Sequence, residues 1–218
     1  MKNRHDGYIK RYQVIRLILQ TLESFSNRDQ KQMNSMVTTT PLEVLTFWFT
    51  EPTPLLWFNS NPKFDQTLRE RFFSTYEAAA ANQLAHWEQT PSGAVALVIV
   101  LDQFPLNMFR GQAQSFATEA AARAVADRAI ARGFDSELKP QERLFLYLPF
   151  MHSESLTDQN RSVRLFEELV LEDSIRFAHH HHDLIKRFGR FPHRNAILGR
   201  NSTSEELAYL ASPEAFHG

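Results

Sequence analysis

Cysteine is absent from the chain. That removes thiol nucleophiles, thiolate metal sites and disulfides together, and it fits a reducing compartment. Glycine is scarce, seven in 218 residues, and from residue 40 onward no Asn-Gly or Asp-Gly pair occurs. Two-residue hairpin turns therefore have no support there. No glycine-rich phosphate loop is present. Net charge is nearly absent as well, with 24 basic against 25 acidic residues, so neither a basic nucleic-acid binder nor an acidic solvating chain is indicated. No apolar run reaches the roughly 20 residues that cross a bilayer. The longest, "AVALVIVL" from Ala94 to Leu101, has core length. No secretory signal is read at the start, because Arg16 and Gln20 interrupt its apolar stretch. The expected location is the cytoplasm.

The length suits one domain with an appendage. Residues 1–39 form an amino-terminal extension ending in the polar run "SNRDQKQMNSMVTTT". Two readings stay open for it: a mis-assigned start, with translation beginning near Met36, or an amphipathic helix over 8–25 with Tyr8, Tyr12, Ile15, Leu19 and Leu22 on one face.

From residue 40 to 218 helix punctuation is dense. "TPLE" sets Thr40 as N-cap, Pro41 at the first helical position and Glu43 three past the cap. Asn61-Pro62 repeats the device ahead of Phe64, Leu68, Phe72 and Tyr76 at four-residue spacing. Thr90-Pro91 opens an all-apolar segment that periodicity cannot separate from a buried strand; its caps favour a buried helix, expected to end against Pro105. An alanine-rich helix stops at Gly133, and another opens on Pro140 and is expected to halt near Pro149. "TDQNRSVRLFEELV" and "LEDSIRFAHHHHDLIKRFG" predict a helix pair, or one bent element, ending at Gly189. Ser202 and Glu205 predict a capping box for a last short helix. The fold class is all-α, with antiparallel helix pairs stacked through short connections in a single domain.

Three stretches crowd polar groups against a proline: "LDQFPLNMFRG" (101–111), "YLPFMHSESLTDQ" (147–159) and "FGRFPHRNAILGR" (188–200). The rings and prolines themselves read as packing devices. The polar neighbours raise more. Arg110, Arg190, Arg194 and Arg200 can pair with Asp102, Glu154 and Asp158, which would make them internal staples. No acid lies from Lys186 to Ser204, however, and five cations lie between Lys186 and Arg200. Set against three carboxylates they leave guanidinium groups to spare, suited to bidentate recognition of carboxylate or phosphate. His152, Glu154 and His193 can supply acid–base chemistry near neutral pH. Ser153 beside His152 is weak evidence for a dyad, since adjacent side chains rarely point together. A metal held by His152, Glu154 and His193 is conceivable by ligand type, but the spacing matches no familiar signature. The "HHHH" run at 179–182 fans around a helix and cannot grip one ion.

"FWF", "LDQFPLNMFRG", "YLPFMHSE", "DQNRSV" and "RFGRFPHRNAILGR" resemble the bacterial family filed as domain of unknown function 924, over roughly Pro41 to Leu210. The resemblance implies an all-helical, tetratricopeptide-like fold. Its motif positions fall on Asp102, Gln103 and Arg110 in the first stretch, and on His152, Ser153, Glu154, Asp158 and Gln159 in the second. In the third region they fall on His181, Arg190, His193, Arg194 and Asn195. Leu106 departs from the family, which usually carries arginine there.

The leading expectation is one polar pocket binding a small anionic ligand or an acidic chain end. Asp102, Gln103, Arg110, Asp158, Gln159, His181, Arg190, Arg194 and Asn195 would bind the ligand. The alternative is a hydrolase with His193 or His152 as general base, Glu154 orienting it and arginines steadying developing charge. A third reading is an interaction scaffold whose polar cluster is structural. No cofactor, nucleic acid or membrane partner is expected, and the sequence carries no signal for oligomeric state.

Overall fold

A computed structural model describes residues 39–50 and 52–216. The readings of the amino-terminal extension lie outside the described residues, apart from Thr39. Every regular element among the described residues is helical. In chain order these are α1 (Pro41–Phe49), α2 (Pro62–Ala80), α3 (Pro91–Val98) and α4 (Phe104–Met108), then α5 (Glu119–Ala131), α6 (Pro140–Met151), α7 (Leu156–Leu169), α8 (Glu172–Phe188) and α9 (Ser204–Leu210).

The helices begin where short polar side chains meet proline. Thr40 Oγ1 accepts from the Glu43 amide at 3.3 Å, and the Glu43 carboxylate accepts from the Thr40 amide at 2.7 Å, closing the expected capping box. Asn61 and Thr90 cap α2 and α3 in the same way, accepting from Phe64 N at 3.0 Å and Gly93 N at 3.1 Å. The last capping box falls one residue later than predicted: Thr203 and Glu206 form it, not Ser202 and Glu205. α7 and α8 are separate helices, parted by Val170 in the left-handed region at φ 57°.

α3 does not end at Pro105. Residues Ile99–Gln103 form a π turn in which the Phe104 amide donates to the Ile99 carbonyl, and the helix continues as α4. The wide turn admits the proline. Pro105 has no N–H to offer the Leu101 carbonyl four residues back, and that oxygen instead accepts the Thr118 hydroxyl at 2.5 Å. α6 halts near Pro149 as expected, with the proline inside its last turn and the helix ending at Met151.

The segment from Gly93 to Phe104 is buried throughout. By length and composition Pro91–Met108 is apolar enough to cross a membrane, but 83% of it is buried in the protein's own interior, as a core helix is. Its first half packs on α1, α5 and α6, and its continuation α4 packs on α2. Phe104 is fully buried between Phe72 and Trp48, at centroid distances of 5.0 and 5.6 Å. The ring therefore plugs the core, as the packing reading holds. α7 packs on both α6 and α8 across short connections at 152–155 and 170–171, so consecutive helices run antiparallel.

Candidate acid–base site

Asp102 is fully buried on the π turn. A carboxylate there needs partners, because an isolated buried charge is very costly. The expected partner was arginine; the observed ones are Gln103, whose Nε2 donates to Oδ2 at 2.5 Å, and His152, whose Nδ1 lies 3.0 Å from Oδ1. Since an ionised carboxylate only accepts, this contact puts a proton on Nδ1 of His152 and leaves Nε2 as the basic nitrogen. His152 caps the carboxyl end of α6.

The third proline stretch reaches the same place. α8 ends at Gly189 in the left-handed region, φ 71°, and the chain turns through Pro192–Arg194. That turn buries Arg194, whose guanidinium carbon lies 4.4 Å from the Phe116 ring centroid and 4.6 Å from that of Phe191. Its charge faces Glu119, the first residue of α5, with Nη2–Oε1 at 3.0 Å and Nη1 donating to Oε2 at 3.1 Å. Arg194 Nε is buried without an acceptor.

His181, on α8, is buried, and its Nδ1 donates to the Phe177 carbonyl at 2.8 Å. Its ring meets those of Phe191 at 5.4 Å and Phe216 at 4.8 Å. The His193 ring is tilted against Phe191 at 5.6 Å and meets Phe216 edge to face at 5.1 Å.

The cluster polarises its own titrations. Burial alone would lower the His152 pKa, but the charge and hydrogen bond of Asp102, with Glu119 beyond, raise it above 6.5. Burial raises Glu119 despite the nearby Arg194 and His152. Burial drives His181 down to about 3, so it stays neutral. Two carboxylates and one guanidinium balance when His152 carries a proton. Neighbouring imidazoles pushed in opposite directions are a recurrent property of acid–base sites.

Other predicted residues have structural partners. Glu154 does not orient a histidine. It accepts both Arg200 Nη groups at 2.7 and 2.9 Å and the Phe191 amide at 2.8 Å, and Arg200 with that amide brings its pKa down although burial opposes. Arg190 holds buried Glu206 through two bonds of 2.6 and 2.8 Å and also reaches the Asn201 carbonyl. Arg110 stands on the surface, paired with Asp65 at 2.8 Å and bonded to Asn107 and Ser60. Asp158 takes the Ser153 hydroxyl at 2.6 Å and lies 3.3 Å from Arg123, so Ser153 is not turned to His152. Gln159 ties down the end of α6, donating to the Met151 and Ser153 carbonyls, both at 2.7 Å. Asn195 is buried and donates to Ser202 at 3.1 Å.

The expected surplus of guanidinium groups is therefore not found. Arg187, Arg190, Arg194 and Arg200 each face a carboxylate, those of Glu205, Glu206, Glu119 and Glu154. Among the described residues no three histidine, aspartate or glutamate side chains are placed to hold a metal ion, and Glu154 is committed to Arg200. Glu119, Phe116, Phe216 and Glu206 were missed by sequence reasoning. Only Glu206, through its capping spacing from Thr203, carried a readable signal.

The fold and this cluster define an all-α protein in which a partly buried histidine meets a fully buried carboxylate at a π turn. Residues 44–214 match the model of the family described as bacterial protein of unknown function, DUF924, and the chain belongs to that family. The solved structure of a protein of unknown function, ATU0120 from Agrobacterium tumefaciens, is similar at 40% identity and a TM-score of 0.75, covering 78% of this chain and 96% of that one. No curated protein matches.

Proposed function

We propose that the chain is a hydrolase-type enzyme in which His152 is the general base. The observation that carries this reading is the 3.0 Å contact between His152 and fully buried Asp102. Asp102 holds the imidazole in the tautomer whose Nε2 can take a proton, and it steadies the imidazolium once formed. Nε2 removes a proton from an attacking water as its oxygen bonds to a carbonyl carbon or phosphorus. The same proton then passes to the departing oxygen or nitrogen as that bond breaks. Arg194, with Nε–H still lacking an acceptor, supplies a donor for the oxygen that gains charge. His193 joins the cluster through its ring contacts with Phe191 and Phe216, and Glu154, bound to Arg200 and the Phe191 amide, holds the turn beside it.

The unfilled Arg194 donor also favours a second reading, a pocket that binds a small anionic group without turnover. The His152–Asp102 contact favours the first, since a base fixed in one tautomer serves proton transfer and adds nothing to holding an anion. The tetratricopeptide-like assignment and a cytoplasmic location are further parts of this proposal.

The test is a panel of carboxylic esters, amides and phosphate esters with wild-type, His152→Ala and Asp102→Asn proteins. Removing the base should cost about 10²–10⁴-fold in kcat/KM. The rate should rise with pH through a midpoint above 6.5, and Asp102→Asn should move that midpoint down because the raising charge is gone. Turnover indifferent to both substitutions would remove His152 from the mechanism. Saturable stabilisation by a carboxylate or phosphate with no turnover would favour the binding reading.

A further inference from the structure

Phe216 stands between a pair of histidines and a surface cavity. Its ring meets His181 and His193 at 4.8 and 5.1 Å, and it packs at the margin of the small core made by Leu184, Ile185, Phe191 and Tyr209. It also walls a cavity of about 370 Å³ whose other walls are Arg176, Phe177, His180, Glu214 and Ala215. Neither His181 nor His193 reaches that cavity. The volume falls in the range of small-molecule pockets, roughly 300–1,000 Å³. Phe216 lies outside any helix and is partly buried, held by these ring contacts and by one hydrogen bond from its amide to Tyr209 Oη at 2.8 Å. A segment outside the helices, with no ladder of backbone hydrogen bonds, opens at lower cost than the helices it packs on.

We propose that Phe216 is a movable partition, and that the outer cavity and the inner histidines form one binding site. A ligand enters by displacing the ring and puts an apolar, ring-sized group of its own against His181 and His193. Resting on the general-base reading, this assigns the substrate class: an ester, amide or phosphate ester carrying a phenyl-sized group. The surroundings that Phe216 now occupies, three imidazoles and a small apolar core, suit such a group and offer little to a short polar chain.

The test reads access rather than turnover. Diethyl pyrocarbonate acylates neutral imidazoles, and His181 stays neutral at ordinary pH but is buried. Exposed His179 serves as the internal standard, with site-by-site rates from mass spectrometry. Phe216→Ala should speed acylation of His181 relative to His179 by about tenfold or more, and Phe216→Trp should not. Saturating toluene should slow His181 again in the alanine protein. Tyr209→Phe, which removes only the anchoring hydroxyl, should give a smaller increase with an unchanged melting transition. That variant decides the matter if Phe216→Ala fails to fold. An unchanged His181 rate in the folded variants would overturn the partition, and failure of toluene to protect would overturn the ring-sized ligand. These rates need no turnover, so their failure leaves the general base standing, and an inactive enzyme leaves them readable.

Discussion

The hydroxyl of Thr118 donates to the carbonyl of Leu101 at 2.5 Å, at the point where Pro105 can offer that carbonyl no amide. A buried polar group left without a partner costs about 1–3 kcal/mol. Thr118→Val, nearly equal in shape, should therefore destabilise the protein by about that amount in denaturant unfolding, while Thr118→Ser should be mild. An unchanged midpoint for valine would mean that the carbonyl finds another donor.

Arg194 and Glu119 form a buried pair, and the two should couple. Breaking such a pair from one side typically costs about 3–5 kcal/mol, because the other charge is left uncompensated. Arg194→Met and Glu119→Gln should each be strongly destabilising, and the double variant should lose less than their sum. Additive losses in a double-mutant cycle of urea midpoints would show that the two charges are not coupled.

His181 should set part of the acid sensitivity. Its folded pKa lies near 3 against an ordinary 6.5, so the unfolded chain binds a proton that the folded one refuses. Stability from this group is full above 6.5 and falls by about 1.4 kcal/mol per pH unit as pH drops below it, until about 3. His152 has the opposite sign: its raised pKa gives stability that is complete below 6.5 and is lost as pH rises through the folded value. Urea midpoints taken across this range should show a shallower acid slope for His181→Phe than for wild type. Parallel slopes would contradict the burial argument.

Two arginines of the same motif set should behave differently. Arg110 is largely exposed, and surface pairs contribute about 0–1 kcal/mol, so Arg110→Ala should be nearly silent in stability and in turnover. Arg190 grips Glu206, whose pKa is drawn down to about 2, first by the Arg190 hydrogen bond. That contribution is present above 4.5 and is lost as pH falls toward 2. Arg190→Met should lower the melting temperature at neutral pH and narrow the difference from wild type in strong acid. A constant difference across pH would assign Arg190 to packing.

The helix starts were legible because Thr40, Asn61 and Thr90 act locally, through amides three residues away. Pro105 misled for the same reason. Local preference says a helix stops before Pro105, and only the π turn and the distant Thr118 hydroxyl allow it to pass. The convergence of Asp102, His152 and Arg194 was supposed rather than legible, because no local signal says that distant turns meet. Their pairing was no more legible: Glu119 carries no motif, and it reaches Arg194 across 75 residues. Charge counting over a window found five cations but could not see that Glu205 and Glu206 sit one helix further on.

The wide turn at Ile99–Gln103 also acts as a phase shifter. Each residue of a regular helix advances the side-chain direction by about 100°, so one oversized turn re-aims everything downstream. The rod from Pro91 to Met108 is thereby addressed to two sets of neighbours, α1, α5 and α6 before the shift and α2 after it. Asp102 and Gln103 sit at the changeover, where neither winding dictates the outward angle. Deleting a single residue there would keep the rod helical yet swing the carboxylate away from His152, disarming the cluster with no change in its composition.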